Sequence, residues 1–197
     1  MEMHELDTIG RVLSYIRGGN CRITIQNEKT QTHLTYKFKQ SKRNPSVYWV
    51  SVLSRFDYES EDSYKFLGGY SDELSYRYSE KSQIKATSKS ASAIQWFFDK
   101  FLKPNAFKAK YPTVKVFYQG TCGRCGKLLT HPESLKVGFG RECLGWAIKN
   151  GLVQLPAEPN KIDWHHHKHD KPIGELISVE EKDGILEVKW KQLSLFD

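Results

Sequence analysis

Apolar residues recur along this chain with two different periods. From residue 3 to residue 17, Leu6, Ile9, Leu13 and Ile16 follow spacings of three and four, which predicts a helix with one buried face. Gly18-Gly19-Asn20 stops it, as glycine does past a helix end. The period then changes to two. Cys21 to Gln26 alternates through Ile23 and Ile25, and Thr32 to Lys39 alternates through Leu34, Tyr36 and Phe38. Asn27-Glu28-Lys29-Thr30 between them is polar and turn-like. Val47 to Ser54 is richer in apolar residues and reads as a central strand, and Tyr64 to Tyr70 as a further one.

A Ser- and Lys-rich stretch, 79–92, leads into a second predicted helix from about Ser90 to Lys103. Ile94, Phe97, Phe98, Phe101 and Leu102 form its apolar face, and Pro104 ends it. Val114 to Tyr118 is a last strand before a cysteine cluster. Beyond Leu155, Pro156, Pro159 and the polar run to Pro172 read as a linker. Glu175 to Val179 and Ile185 to Trp190 then flank Asp183-Gly184, a strong hairpin signal.

The expected architecture is α+β: an antiparallel sheet with two helices, a small zinc-binding module, a C-terminal β-hairpin and an extended tail. The boundaries are 1–118 for the α+β domain, 119–153 for the zinc module, 154–172 for the linker, 173–191 for the hairpin and 192–197 for the tail.

Composition narrows the chemistry. The 30 Lys and Arg against 23 Asp and Glu give a net charge of +7, a moderate excess that suits an anionic partner such as DNA. No run of apolar residues is long enough to span a membrane, and residues 1–8 carry three acidic groups and no apolar signal core. A cytoplasmic location is therefore expected, where disulfides are disfavoured.

Three of the four cysteines stand at metal-ligand spacing. Cys122-Gly-Arg-Cys125 can place both sulfurs on one ion, and Cys143 follows at the start of a predicted helix, Glu142 to Asn150. The reading is a structural Zn2+ on Cys122, Cys125 and Cys143. His131 is the nearest candidate for the fourth ligand; water or a more distant histidine is the alternative. A redox pair and metal-free structural thiols compete with zinc, but the third cysteine and the lack of a βαβ context count against the redox pair. Cys21 reads as a small buried apolar residue. The run His165-His166-His167-Lys168-His169 reads as solvated linker.

Candidate nucleic-acid contacts fall in two places. Residues 122–149 hold five cations, Arg124, Lys127 and Arg141 among them, against two carboxylates. Tyr36-Lys37-Phe38-Lys39 interleaves aromatics with cations; at period two, Tyr36 and Phe38 belong to the core face and Lys37 and Lys39 to the solvent face. No phosphate loop, nucleophile elbow or His-Glu-x-x-His motif occurs. Asp57, Glu59, Glu61 and Asp62 read as an exposed acidic turn rather than a magnesium site, which favours a non-enzymatic role over a hydrolase.

Two resemblances add to this. Residues 122–143, with the strands before them, resemble a small zinc module of uncharacterised bacteriophage and mobile-element proteins. That resemblance covers about residues 10–147 and implies a phage or plasmid origin and a zinc site. The run Gln192-Leu193-Ser194-Leu195-Phe196 resembles the short peptide by which bacterial replication and repair proteins bind the β sliding clamp. It implies that Gln192 enters a small polar pocket while Leu193, Leu195 and Phe196 supply apolar contacts. A buried final strand is the alternative for those residues. Together these imply a DNA-replication or repair accessory factor of a phage or mobile element in the host cytoplasm. The alternative is a host-takeover or anti-defence inhibitor that acts by protein binding, for instance in the clamp cleft.

Overall fold

A computed structural model describes residues 3–55, 57–71, 75–103, 110–154, 174–182 and 185–192. The chain opens on a short strand, not a helix: β1 (His4–Glu5) pairs with β7 (Val114–Tyr118), and the Leu6 N–H donates to Val116 O at 2.8 Å. The helix α1 (Ile9–Arg17) begins only after Thr8, which is extended and whose hydroxyl accepts from the Arg11 N–H. A side chain that caps a helix must itself lie outside it, so Thr8 excludes residues 3–7 from the helix. The buried face runs through Val12, Tyr15 and Ile16, turned from the predicted stripe.

The next four strands are β2 (Asn20–Asn27), β3 (Thr32–Gln40), β4 (Val47–Leu53) and β5 (Tyr64–Ser71). A three-residue strand, β6 (Tyr76–Tyr78), is too short to show alternation in the sequence. With β7 they form one antiparallel seven-stranded sheet in the order β1-β7-β2-β3-β4-β5-β6. One face is apolar throughout: Ile23, Tyr36, Phe38, Val50, Leu67, Tyr70 and Val116 are all nearly inaccessible to water. The core-face expectation for Tyr36 and Phe38 agrees with this.

The helix α2 (Lys89–Trp96) covers the far side of that face. Ser88 caps it, accepting from the Ala91 N–H at 3.1 Å, and the Tyr36 hydroxyl donates to Ser90 O at 2.8 Å. Its last turn widens into a π-turn over Phe97–Phe101, closed by the Leu102 N–H on Phe97 O. The wider turn carries Phe97, Phe98 and Phe101 inward together, and Phe98 meets the rings of Phe38, Tyr70 and Tyr76. The expected end of this helix, Pro104, lies outside the described residues.

The opposite face is polar and only partly covered. Thr24 and Thr35 share a hydroxyl bond of 2.8 Å across β2 and β3. Lys37 is on this face as expected, but it is buried, not solvated. Its ammonium pairs with Glu61 from the turn before β5 and lies 5.4 Å from the Tyr64 ring centre. Lys39 remains exposed, 4.0 Å from the same carboxylate.

After the cysteine module, β8 (Val153–Gln154) pairs in parallel with β10 (Ile185–Gln192), which pairs antiparallel with β9 (Gly174–Lys182). The hairpin strands are those expected, but Gln192 is still in β10, opposite Gly174. The Asp183-Gly184 turn, the linker, the histidine run and residues 193–197 lie outside the described residues. Among the described residues, no helix is long and apolar enough to cross a membrane.

The Lys37–Glu61 pair has a predictable signature. The bond from Lys37 holds the Glu61 carboxyl below its ordinary range, outweighing its partial burial. A carboxylate depressed on folding adds stability above its unfolded pKa of about 4.3, and loses it as pH falls through the lower folded value. Glu61→Gln should therefore cost about 1 kcal/mol near neutrality, read by urea unfolding, with the gap from wild type closing on acidification.

Candidate metal centre

Strand β7 delivers the chain to the first two cysteines. A single bridge between Thr121 and Leu128 closes a tight loop over 122–127, in which the Gly126 N–H donates to Cys122 O and the Cys122 N–H to Lys127 O. The third cysteine comes from two short helices that the sequence showed only in part. The helix α3 (Pro132–Val137) was not expected; six residues are too few to display a period. It ends at Gly138 in the left-handed region, φ 80°. Gly140 then opens α4 (Arg141–Lys149), close to the predicted bounds, and Cys143 lies in its first turn.

The Sγ atoms of Cys122, Cys125 and Cys143 all lie within 4.8 Å of one another. Zn–S bonds of about 2.3 Å in a tetrahedron separate sulfurs by roughly 3.8 Å, so the three fit one ion with small adjustment. Cys122 and Cys143 are buried and Cys125 is exposed. Burial opposes ionisation of Cys122, but the backbone N–H groups of Cys125, Gly140 and Arg124 aimed at its sulfur outweigh it and hold the thiol below its ordinary value. Burial, then the neighbouring Cys122 sulfur, push Cys143 up to about 12. Three thiols crowded in this way resist losing all their protons unless a cation shares them. The site can thus hold a metal ion, and the donor set suits a soft or borderline one.

His131 does not join the cysteines. It precedes Pro132 at the start of α3 with its ring half exposed, one nitrogen bonded to Glu133 and the other 3.4 Å from the Arg141 guanidinium. Glu133 is drawn below its ordinary range by that bond. Among the described residues, no histidine or carboxylate stands with the three sulfurs.

Arg124, Lys127 and Arg141 are exposed on the surface of the module. Arg124 lies 4.4 Å from the Trp146 ring centre, a cation–π contact that sequence spacing did not suggest. Asp57 is folded into its own turn, accepting from the Glu59 and Ser60 N–H groups, and Glu61 is taken by Lys37. The acidic segment is thus an internally bonded turn.

Residues 117–145 match the family described as "Family of unknown function (DUF6011)". The match contains the three cysteines, His131 and α3, which agrees with the resemblance of this segment to an uncharacterised module. No curated protein matches the chain, and no solved structure matches it.

Protein purified without chelator should contain about one metal ion per chain by plasma mass spectrometry. Cys143→Ser should lose it and His131→Ala should keep it; loss of metal in His131→Ala would return that histidine to the ligand set.

Proposed function

We propose that this protein is a zinc-binding accessory factor of DNA replication or repair, encoded by a bacteriophage or mobile element. It docks on the host's β sliding clamp through Gln192–Phe196 and also binds DNA. The observation that carries the reading is the run Gln192-Leu193-Ser194-Leu195-Phe196 itself. A short peptide of this kind binds by a few side chains in preformed pockets. The run starts at Gln192, the last residue of β10.

Zinc fits the centre because thiolates favour it and it brings no redox chemistry. Its work here is structural: it joins the 122–125 loop to the first turn of α4. The exposed cations Arg124, Lys127 and Arg141 support contact with phosphates from the module surface. The setting is the cytoplasm of the bacterial host.

Immobilised β clamp should retain the full chain with micromolar affinity, about −8 kcal/mol. Leu195→Ala combined with Phe196→Ala should cost on the order of 2 to 4 kcal/mol without lowering the melting temperature. Wild-type affinity in that double variant would remove the tail from the contact. Wild type that binds the clamp but no DNA at low salt would replace the accessory role by that of an inhibitor occupying the clamp cleft.

A further inference from the structure

The polar face of the sheet carries an arrangement that neither the cysteine module nor the tail uses. Strand register places Lys39 opposite Trp49, Trp49 opposite Gly69, and Gly69 opposite Arg77. These four residues make one row across β3, β4, β5 and β6, in which a cation stands at each end and an indole near the middle. Trp49 is 45% exposed, which is unusual for the largest apolar side chain in a central strand. It rests on Gly69, where an added Cβ would lie 3.2 Å from the ring, and meets Phe66 edge-on at 5.9 Å between ring centres. The indole is thus held in place while one side stays open.

Beside it lies a groove of about 490 Å³ lined by Val47, Trp49, Phe66, Gly69, Arg77 and Tyr78. Its size suits one flat heteroaromatic group. The charged strand residues of this face in β2 to β6 are all cationic: Arg22, Lys37, Lys39 and Arg77. The carboxylate of Glu61 reaches in from the turn before β5, takes up Lys37 and lies 4.0 Å from the exposed Lys39 ammonium at the far end of the row, while Arg77 stands on the groove.

We infer that this face is a platform for single-stranded nucleic acid, on which an unpaired base stacks against Trp49 and the flanking phosphates meet Lys39 and Arg77. Flat aromatic faces accept any base, and cations at both ends of the row follow the strand on either side. Duplex DNA is disfavoured, because its bases are already stacked and cannot reach a ring lying on a sheet. The inference rests on the DNA-binding part of the proposed function and assigns it to the sheet face, apart from the cysteine module.

The test is fluorescence anisotropy of the full chain with a labelled oligothymidylate of about twelve nucleotides at low salt, with oligouridylate and duplex DNA in parallel. Wild type should bind the single strands, with either sugar, more tightly than the duplex. Trp49→Ala should weaken binding about 10- to 100-fold, while Trp49→Phe keeps most of it. Arg77→Ala should reduce the slope of log affinity against log salt by about 0.7. Because Trp49 lies outside the core, its variants should melt at the wild-type temperature; Trp49→Phe and Arg77→Ala decide the matter if Trp49→Ala fails to fold. Wild-type affinity in Trp49→Ala, or equal binding of duplex, would overturn the platform while leaving DNA binding by the module intact. No binding of any nucleic acid by wild type would overturn both, leaving the clamp contact untouched.

Discussion

The backbone of Gly123, between the first two cysteines, is the point where the parts of this molecule meet. Its N–H donates to Gly138 O at 2.9 Å, at the end of α3, and its carbonyl accepts from the Asn20 N–H at 2.8 Å, at the start of β2. A Cβ at Gly123 would stand 2.8 Å from Tyr15 O, and a Cβ at Gly18 would stand 2.7 Å from Gly123 carbonyl atoms. Two glycines are thus required for the last turn of α1 to lie directly on the cysteine loop. The Tyr15 hydroxyl adds a bond to Thr121 O at 2.9 Å. This contact ties the 122–125 loop to the end of α3 and to the start of β2. The module has no core of its own. Phe139, Leu144, Ala147 and Val153 belong to the same buried cluster as the sheet.

This constraint assigns the two faces of the sheet different work. The apolar face packs against α1, against α2 with its phenylalanines, and against the module, and supplies the core. The other face has polar and cationic strand positions and an indole kept in place by a glycine. The burial of Lys37 follows from the same division. A cation on the half-covered face is stable only with a carboxylate partner, and Glu61 supplies it.

Much of this was legible from local pattern. Alternation located β2 and β3 and assigned Tyr36 and Phe38 to the core, apolar content located β4, and short apolar runs marked β5 and β7. Cysteine spacing identified the three thiols, because ligands on one ion leave a short and specific trace. What the sequence hid depended on distance or brevity. Thr8 starts α1 by capping, against a periodic stripe that began earlier. The strand β6 and helix α3 are too short to show a period. The ring of His131 turns to Glu133, two residues away, and sequence proximity to the cysteines said nothing of that. Glu61 covers Lys37 from a separate turn, and the row from Lys39 to Arg77 exists only once four strands are in register.

Their shared core and the bonds at Gly123 make the cysteine module and the sheet one cooperative unit. Calorimetric unfolding of Gly123→Ala tests it most directly. A single transition is expected, as in wild type, moved down by about 3 to 10 °C as the added methyl forces α1 from the loop. A melting temperature equal to that of wild type, or a separate early transition that leaves the main one in place, would contradict it.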